Sequence, residues 1–160
     1  MQLTILVIEY NLFLGVYTDQ HLDWKTPINF IGAKISKSVG LLYKAKYYLP
    51  SKSLPTMYYA LIYPYFTYCT LIWACTYVTN LQRIYLLQKR AVRAISKADY
   101  KASSKPLFAN LKILDVFSIY SLQVSSFMYL YHNDALPISF TQIFQTGNQI
   151  HQYSTRYSDF

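Results

Sequence analysis

Glycine and acidic residues are both scarce in this sequence of 160 residues. Four glycines and six prolines argue against a β-rich or low-complexity chain. Seven acidic residues stand against fifteen lysines and arginines, which gives a formal net charge of +8. Such a balance suggests a polyanionic partner, either nucleic acid or an anionic membrane surface, and leaves a merely solvated basic face as the alternative.

Groupings of residues that could support catalysis are absent as well. Glu9, Asp19 and Asp23 are the only local group of acids, and loop solvation or capping accounts for them better than a two-metal site does. The sequence contains no glycine-rich phosphate loop, no HExxH and no Gly-x-Ser-x-Gly motif. We therefore predict no catalytic residues and no cofactor in this chain.

The two cysteines and three histidines also lack a metal-binding pattern. Cys69 and Cys75 fall on one predicted helix, about 240° apart around its axis, so they fit neither a shared metal nor a local disulfide. The histidines show no metal spacing with them. We predict no metal site and an intracellular location, in the cytoplasm or the nucleus, where thiols stay reduced.

A lysine-bearing helix is predicted from about Pro27 to Tyr48, with Thr26 as its cap and Pro27 in its first turn. At 100° per residue its apolar positions share one face, formed by Ile28, Ile31, Ile35, Val39, Leu42 and Leu49. The neighbouring face carries Lys34, Lys37 and Lys44.

A second basic helix is predicted from about Leu81 to Lys97. Its apolar face contains Ile84, Leu87, Gln88, Ala91, Val92, Ala94 and Ile95, and its other face contains Arg83, Lys89, Arg90, Arg93 and Lys97. A solvated helix normally alternates charges of both signs, but no acid occurs between Asp23 and Asp99. This favours phosphate binding by the basic face.

Between these two helices, the sequence has no charged residue from Ser53 to Gln82. We predict one helix from about Leu54 to Thr76, kinked at Pro64 and apolar nearly all round. Such a helix is either fully buried or spans a membrane, through residues 54–78. Tyrosines at its middle, rather than at its ends, favour burial.

The two ends of the chain carry weaker signals. Two β-type runs within Leu3–Val16, on either side of Glu9–Asn11, predict a hairpin. After Asp99, the pattern predicts a short helical turn at Pro106 and a helix from about Val116 to Tyr131, capped by Asp115. The expected fold class is mainly α: a short N-terminal β-hairpin followed by a helical bundle of about four to five helices.

Several short blocks, in order, resemble the reverse transcriptases of non-LTR retrotransposons, the jockey-like elements in particular. The first is FLGV at 13–16 with Asp19 and Trp24, followed by KISKSVGLLYKAKYYLP at 34–50 and ALIYPYFTY at 60–68. LQKRAVRAI at 87–95 is the most recognisable block, and PLF at 106–108, ILD at 113–115, Leu136–Pro137 and Thr155–Arg156 follow it. The resemblance covers nearly the whole chain.

The resemblance implies a C-terminal part of an RNA-directed DNA polymerase. Phe13, Leu14 and Gly15 would belong to the primer grip, and the helices after them to a thumb. The aromatic-Ala-Asp-Asp loop of the palm would lie upstream of Met1. We therefore expect a chain that is no enzyme by itself, with residues 1–24 as palm and primer-grip remnant, 25–98 as basic thumb-like bundle, 99–135 as further helices packed on it and 136–160 as a weakly ordered tail.

A thumb binds the shape and phosphates of its substrate rather than its sequence. The expected partners are an RNA–DNA hybrid or RNA template-primer, bound without sequence specificity, and the missing palm and fingers of the parent polymerase. The predicted contact residues are Lys34, Lys37, Lys44, Arg83, Lys89, Arg90, Arg93 and Lys97. Two alternatives remain: a small basic membrane protein spanning through residues 54–78, and a non-functional pseudogene product.

Overall fold

The computed structural model describes residues 10–13, 15–19, 24–140 and 143–144 of the chain. Helices dominate this described part, so the prediction of a mainly α fold is confirmed. Its elements in chain order are β1 (Tyr10–Phe13), β2 (Val16–Asp19), α1 (Lys25–Tyr48), α2 (Ser53–Leu61), α3 (Tyr63–Thr67), α4 (Thr70–Trp73), α5 (Val78–Ile95), α6 (Ser104–Leu111), α7 (Val116–His132) and a 3-10 turn at Ile138–Phe140.

The N-terminal strand pair differs from the predicted hairpin. β1 and β2 run antiparallel, with Tyr10 opposite Asp19 and Phe13 opposite Val16. Because residues 10 and 11 lie inside β1, the turn predicted at Glu9–Asn11 is wrong, and the hairpin as predicted is not supported. Residues 3–8, which hold the first predicted run, lie outside the described residues, as do Glu9 and Asp23.

The first predicted helix is confirmed as α1, with a different start. Its N-cap is Trp24, in the left-handed conformation with φ of 59°, rather than Thr26. The Trp24 carbonyl accepts a hydrogen bond from the Ile28 backbone N–H at 3.1 Å, which closes the first helical turn. The predicted apolar face is buried or half-buried along the whole helix.

The single apolar helix predicted from Leu54 to Thr76 is wrong: this stretch forms α2, α3 and α4. Pro64 lies at the start of α3. Its backbone nitrogen carries no hydrogen, so it cannot donate to a carbonyl one turn earlier. The chain leaves the helical path at Ile62, with φ of −121°. A second break follows at Cys69, whose φ is 52°. A proline therefore ends a helix here where a kink was expected.

The later helices follow the sequence pattern closely. The helix predicted from Leu81 to Lys97 is α5, which ends at Ile95. The predicted Asp115 cap of α7 is confirmed, since its Oδ1 accepts a hydrogen bond from the Ser118 backbone N–H at 2.8 Å. The helix count exceeds the predicted four to five, mainly because the central stretch is broken.

One hydrophobic core extends from Trp24 to Ile119 and joins α1–α7 of the first unit. Its largest fully buried side chains include Trp73, Tyr58 and Phe66. The chain divides into two compact units between Gln123 and Val124. The described part of the second unit contains an aromatic group in which Phe127 and Tyr131 both contact Phe144 edge-on.

Candidate nucleic-acid interface

The two basic helices, α1 and α5, pack side by side and parallel. Near their beginnings, Arg83 Nη1 donates to Asn29 Oδ1 at 3.0 Å. Near their ends, Lys97 Nζ donates to the Leu49 carbonyl at 3.2 Å. Since both partners advance along the sequence from the first contact to the second, the helices run in the same direction.

This packing places five of the predicted contact residues on the exposed surface of the helix pair, at the junction or on the adjoining face of α1. Arg90 follows Arg83 by seven residues, a drift of about 20° around α5, so it lies on the same flank toward α1. On α1, Lys44 and Lys37 lie about 60° and 80° around the axis from Asn29, on the side away from the buried face, so they continue the cationic surface from the junction onto the exposed face of α1. We call this group the basic seam: Lys37, Lys44, Arg83, Arg90 and Lys97.

The seam is positively charged with nothing in α1 or α5 to neutralise it. Its five side chains are exposed, and α1 and α5 contain no acidic residue. Within the described residues, Lys37, Lys44 and Arg90 form no hydrogen bond or ion pair through their side chains. Their charges are therefore available for phosphates without breaking an internal contact.

The other three predicted contact residues lie away from the seam and have internal partners. Lys34 Nζ lies 5.3 Å above the Phe30 ring, and Lys89 Nζ lies 4.2 Å above the Tyr85 ring. Arg93 Nε donates to the Ala102 carbonyl at 2.9 Å, in the loop before α6. The structure therefore brings together five of the eight predicted residues and separates three.

Lys89 belongs to a different local group, on the α6 side of α5. Tyr85 stacks on Phe108 and contacts Phe117 edge-on, with ring centroids 6.1 and 5.5 Å away. Partial burial, together with the Asp115 carboxylate, raises the pKa of Tyr85 above its ordinary value. The face of the neutral phenol ring attracts the Lys89 ammonium group by a cation–π interaction. This contact favours a structural role for Lys89 over phosphate binding.

Of the residues likened to a primer grip, Gly15 is the one whose surroundings the structure describes. It occupies the turn between β1 and β2 with φ of 80°, and a Cβ there would lie 3.9 Å from Tyr68 Cε1. Gly15 lines a pocket of about 100 Å³ together with Pro27, Phe30, Ile31, Tyr65, Tyr68 and Trp73. Phe13 lies in β1, and Leu14 lies outside the described residues.

The structure adds a buried polar residue that the sequence pattern had placed only on an apolar face. Gln88 is fully buried in α5. Its Nε2 donates to the Tyr58 hydroxyl at 3.0 Å and to the Leu114 carbonyl at 2.9 Å, and its Oε1 accepts from the Val116 backbone N–H at 2.9 Å. Gln88 thus fixes α2 and the start of α7 onto the buried face of α5.

Clusters of metal ligands and long apolar helices are both missing from the described residues. In this part of the chain no three His, Cys, Asp or Glu side chains come together as they would around a metal ion. No helix described here is by itself long and apolar enough to cross a bilayer, while α6 and α7, bent by 47°, reach that threshold together on length and composition alone.

Comparison with known proteins gives no match to a family model, to a curated protein or to a solved structure.

Proposed function

We propose that this chain binds a nucleic-acid duplex, without sequence specificity, as a thumb-like helical part of a non-LTR retrotransposon reverse transcriptase. The 160 residues contain no aromatic-Ala-Asp-Asp motif, so the role proposed for them is binding rather than polymerisation. The observation that carries the proposal is the basic seam, in which parallel packing of α1 and α5 unites two acid-free cationic faces.

The chemistry of the seam suits phosphates better than bases. Lysine and arginine side chains on helix flanks can neutralise backbone charge, whereas reading bases requires a helix or strand inserted into a groove. An RNA–DNA hybrid approaches A-form, whose wide, shallow minor groove leaves the bordering phosphates accessible. Contacts at the groove edge would thus explain binding that ignores sequence.

A salt titration of hybrid binding tests this proposal. Removing one cation that binds a phosphate lowers the log–log salt slope by about 0.9 in B-form DNA and by a comparable amount in a hybrid. We expect a steep slope for the natural chain, and a slope shallower by about 2 for the double variant Lys37→Gln/Arg90→Gln. Two hybrids of unrelated sequence should give the same affinity.

The matched control removes the same charge elsewhere. Lys105→Gln/Lys112→Gln also lowers the net charge by two, at exposed positions in and after α6. This variant should keep the slope of the natural chain. Equal effects of the two double variants, or a flat slope for the natural chain, would overturn the proposal and leave only a diffuse charge effect.

A further inference from the structure

The carboxyl ends of α1 and α5 meet at one end of the parallel pair. Lys97 lies just after α5, and its hydrogen bond to the Leu49 carbonyl joins it to the residue that ends α1. The chain segments that follow, 50–52 and 98–101, therefore leave from neighbouring points. Residues on these segments and on the last turn of α1 therefore lie near one another at this end of the pair.

Three tyrosines in this region are largely exposed. Tyr47 is 78% exposed, Tyr48 is 87% exposed and Tyr100 is 66% exposed. The tyrosines of α2 and α3 are more buried, with Tyr58 fully inside the core. Packing therefore does not account for these three rings, although single exposed apolar residues are ordinary on protein surfaces.

The same region is rich in lysine. Lys46 Nζ lies 4.9 Å from the centroid of the Tyr43 ring and 5.1 Å from that of the Tyr47 ring. Lys52 and Lys101 are exposed, and their side chains have no internal hydrogen bond or ion pair in the part of the chain that the structure describes. Exposed rings thus alternate with free positive charges.

Negative charge in this region is limited. The helix ends carry partial negative charges, which Lys97 offsets by binding the Leu49 carbonyl. Asp99 is the nearest acid in sequence, and its Oδ1 already accepts a hydrogen bond from the Lys101 backbone N–H at 2.8 Å. The surface therefore keeps a net attraction for anions.

We propose that this surface, which we call the tyrosine platform, binds single-stranded nucleic acid by base stacking. It consists of Lys46, Tyr47, Tyr48, Lys52, Tyr100 and Lys101. Unpaired bases stack on the exposed rings, while the lysines neutralise the phosphates between them, an arrangement typical of sequence-tolerant single-strand binding. A duplex cannot use these rings, because its bases are already stacked on one another.

This inference goes beyond the proposed function, since the seam binds paired strands and the platform binds unpaired ones. The two surfaces share no residue. A chain that holds both could bind a duplex together with a single-stranded extension of the same molecule. Each can also fail without the other, because they are tested with different variants and different ligands.

Fluorescence anisotropy with a labelled single strand of about 12 nucleotides tests the platform. A strand of the same length whose sites are all abasic keeps the phosphates and lacks the bases. We expect the natural chain to bind the base-bearing strand at least about tenfold more tightly than the abasic one, since stacking contributes substantially per base. Equal affinity for the two strands would overturn the proposal.

The variant Tyr47→Leu/Tyr48→Leu removes two rings and keeps charge and helix propensity. It should lose most of the preference for the base-bearing strand, about tenfold or more in affinity, while its affinity for an RNA–DNA hybrid stays unchanged. The unchanged hybrid affinity also shows that the variant folds. The control Tyr77→Leu/Tyr129→Leu alters two equally exposed tyrosines elsewhere and should bind the single strand as the natural chain does.

Two further outcomes would contradict the platform. A loss of single-strand affinity as large in the control as in Tyr47→Leu/Tyr48→Leu would show that exposed tyrosines anywhere contribute alike. Binding to vesicles with anionic lipid that depends on Tyr47 and Tyr48, without a matching dependence for the single strand, would identify the surface as a membrane contact instead.

Discussion

At the scale of single residues, Gln88 is a polar side chain buried in the core. A fully buried amide is tolerated only when its hydrogen bonds are satisfied, and Gln88 has three partners on two segments of the chain, α2 and the start of α7. We expect Gln88→Leu, which keeps the volume, to lower the free energy of unfolding by about 2–4 kcal/mol, because it leaves a carbonyl, a hydroxyl and an N–H without partners.

Urea denaturation measures this loss. Gln82→Leu is the matched control, since Gln82 is exposed on the same helix and should change stability by no more than about 0.5 kcal/mol. If Gln88→Leu is as stable as the natural chain, the hydrogen-bond network at the start of α7 contributes nothing to stability, contrary to this account.

The hydroxyl of Tyr58, one of those partners, makes stability depend on pH. Burial raises the pKa of Tyr58 well above its ordinary value of 10.0, although the hydrogen bond from Gln88 lowers it. A raised folded pKa contributes stability that is fully present below the unfolded pKa and is lost as the pH rises toward the folded one. The free energy of unfolding should therefore fall above about pH 10, by at most about 1.4 kcal/mol per pH unit for this group.

Tyr58→Phe isolates this contribution. At neutral pH the variant should be less stable by about 1 kcal/mol, since one Gln88 N–H loses its acceptor. Above pH 10 the difference should shrink, because phenylalanine does not ionise. Tyr48→Phe, at a largely exposed position, should leave the pH profile unchanged. A constant difference between the natural chain and Tyr58→Phe from pH 8 to 11 would refute the assignment.

At the scale of elements, three helices end in the same way and without glycine. α5, α6 and α7 are each followed by a residue in the left-handed conformation, Lys97, Lys112 and Asp134. In α6, the Ile113 N–H donates to the Phe108 carbonyl at 3.1 Å and the Lys112 N–H to the Ala109 carbonyl at 3.1 Å, the pattern of a Schellman motif. Glycine normally occupies this position because other residues are strained there.

Lys112→Gly should therefore stabilise the chain. The lysine is exposed and its side chain has no internal partner among the described residues, so the substitution mainly relieves the strained φ of 53°. The expected gain in the free energy of unfolding is about 0.5–1 kcal/mol. Lys112→Ala, which removes the same side chain and keeps the strain, should show no gain. A gain of equal size in both variants would mean that charge rather than backbone strain is responsible.

These helix ends show where sequence reasoning succeeds and where it stops. α1, α5 and α7 could be predicted because their apolar residues repeat at helical spacing and Asp115 supplies a recognisable cap. The left-handed conformation of Lys97 and Lys112 gave no signal, because lysine is not typical of left-handed positions. Pro64 predicted a kink but not a full break at Ile62, and nothing in the apolar stretch indicated the second break at Cys69.

For the candidate site too, the sequence predicts what a single helix determines and misses what depends on helix packing. Periodicity placed the cations on the correct helix faces, because each face depends only on residues within one helix. It could not show which cations lie together, since that depends on how α1 packs on α5. It predicted burial for the tyrosines of the central apolar stretch, and it gave no sign that Tyr47 and Tyr48, in the last turn of α1, are exposed.

At the scale of the whole molecule, the basic surfaces and the core belong to the same part of the chain, before Gln123. The seam and the platform both lie on segments between residues 37 and 101. All buried apolar side chains of the core lie between Trp24 and Ile119 among the residues described. The second compact unit, after Gln123, contributes none of the fully buried side chains in that part.

This arrangement predicts that a shortened chain, residues 1–133, folds and binds as the full chain does. Removing residues 134–160 takes away Phe140 and Phe144, which contact Phe127 and Tyr131 within the second unit, and leaves the core intact. The free energy of unfolding of the first unit should change by less than about 1 kcal/mol, and the salt slope for a hybrid should stay the same.

Urea denaturation and hybrid titration of the two chains provide the comparison. A control chain of residues 1–112 also removes Val116 and Ile119, which are buried in the core, together with the backbone partner of Gln88. That chain should lose its cooperative transition, because the core loses two buried side chains and the Gln88 amide loses both the Leu114 carbonyl and the Val116 N–H. If residues 1–133 lose cooperativity too, the core depends on the C-terminal segment, and the division of the molecule into a self-sufficient first unit is wrong.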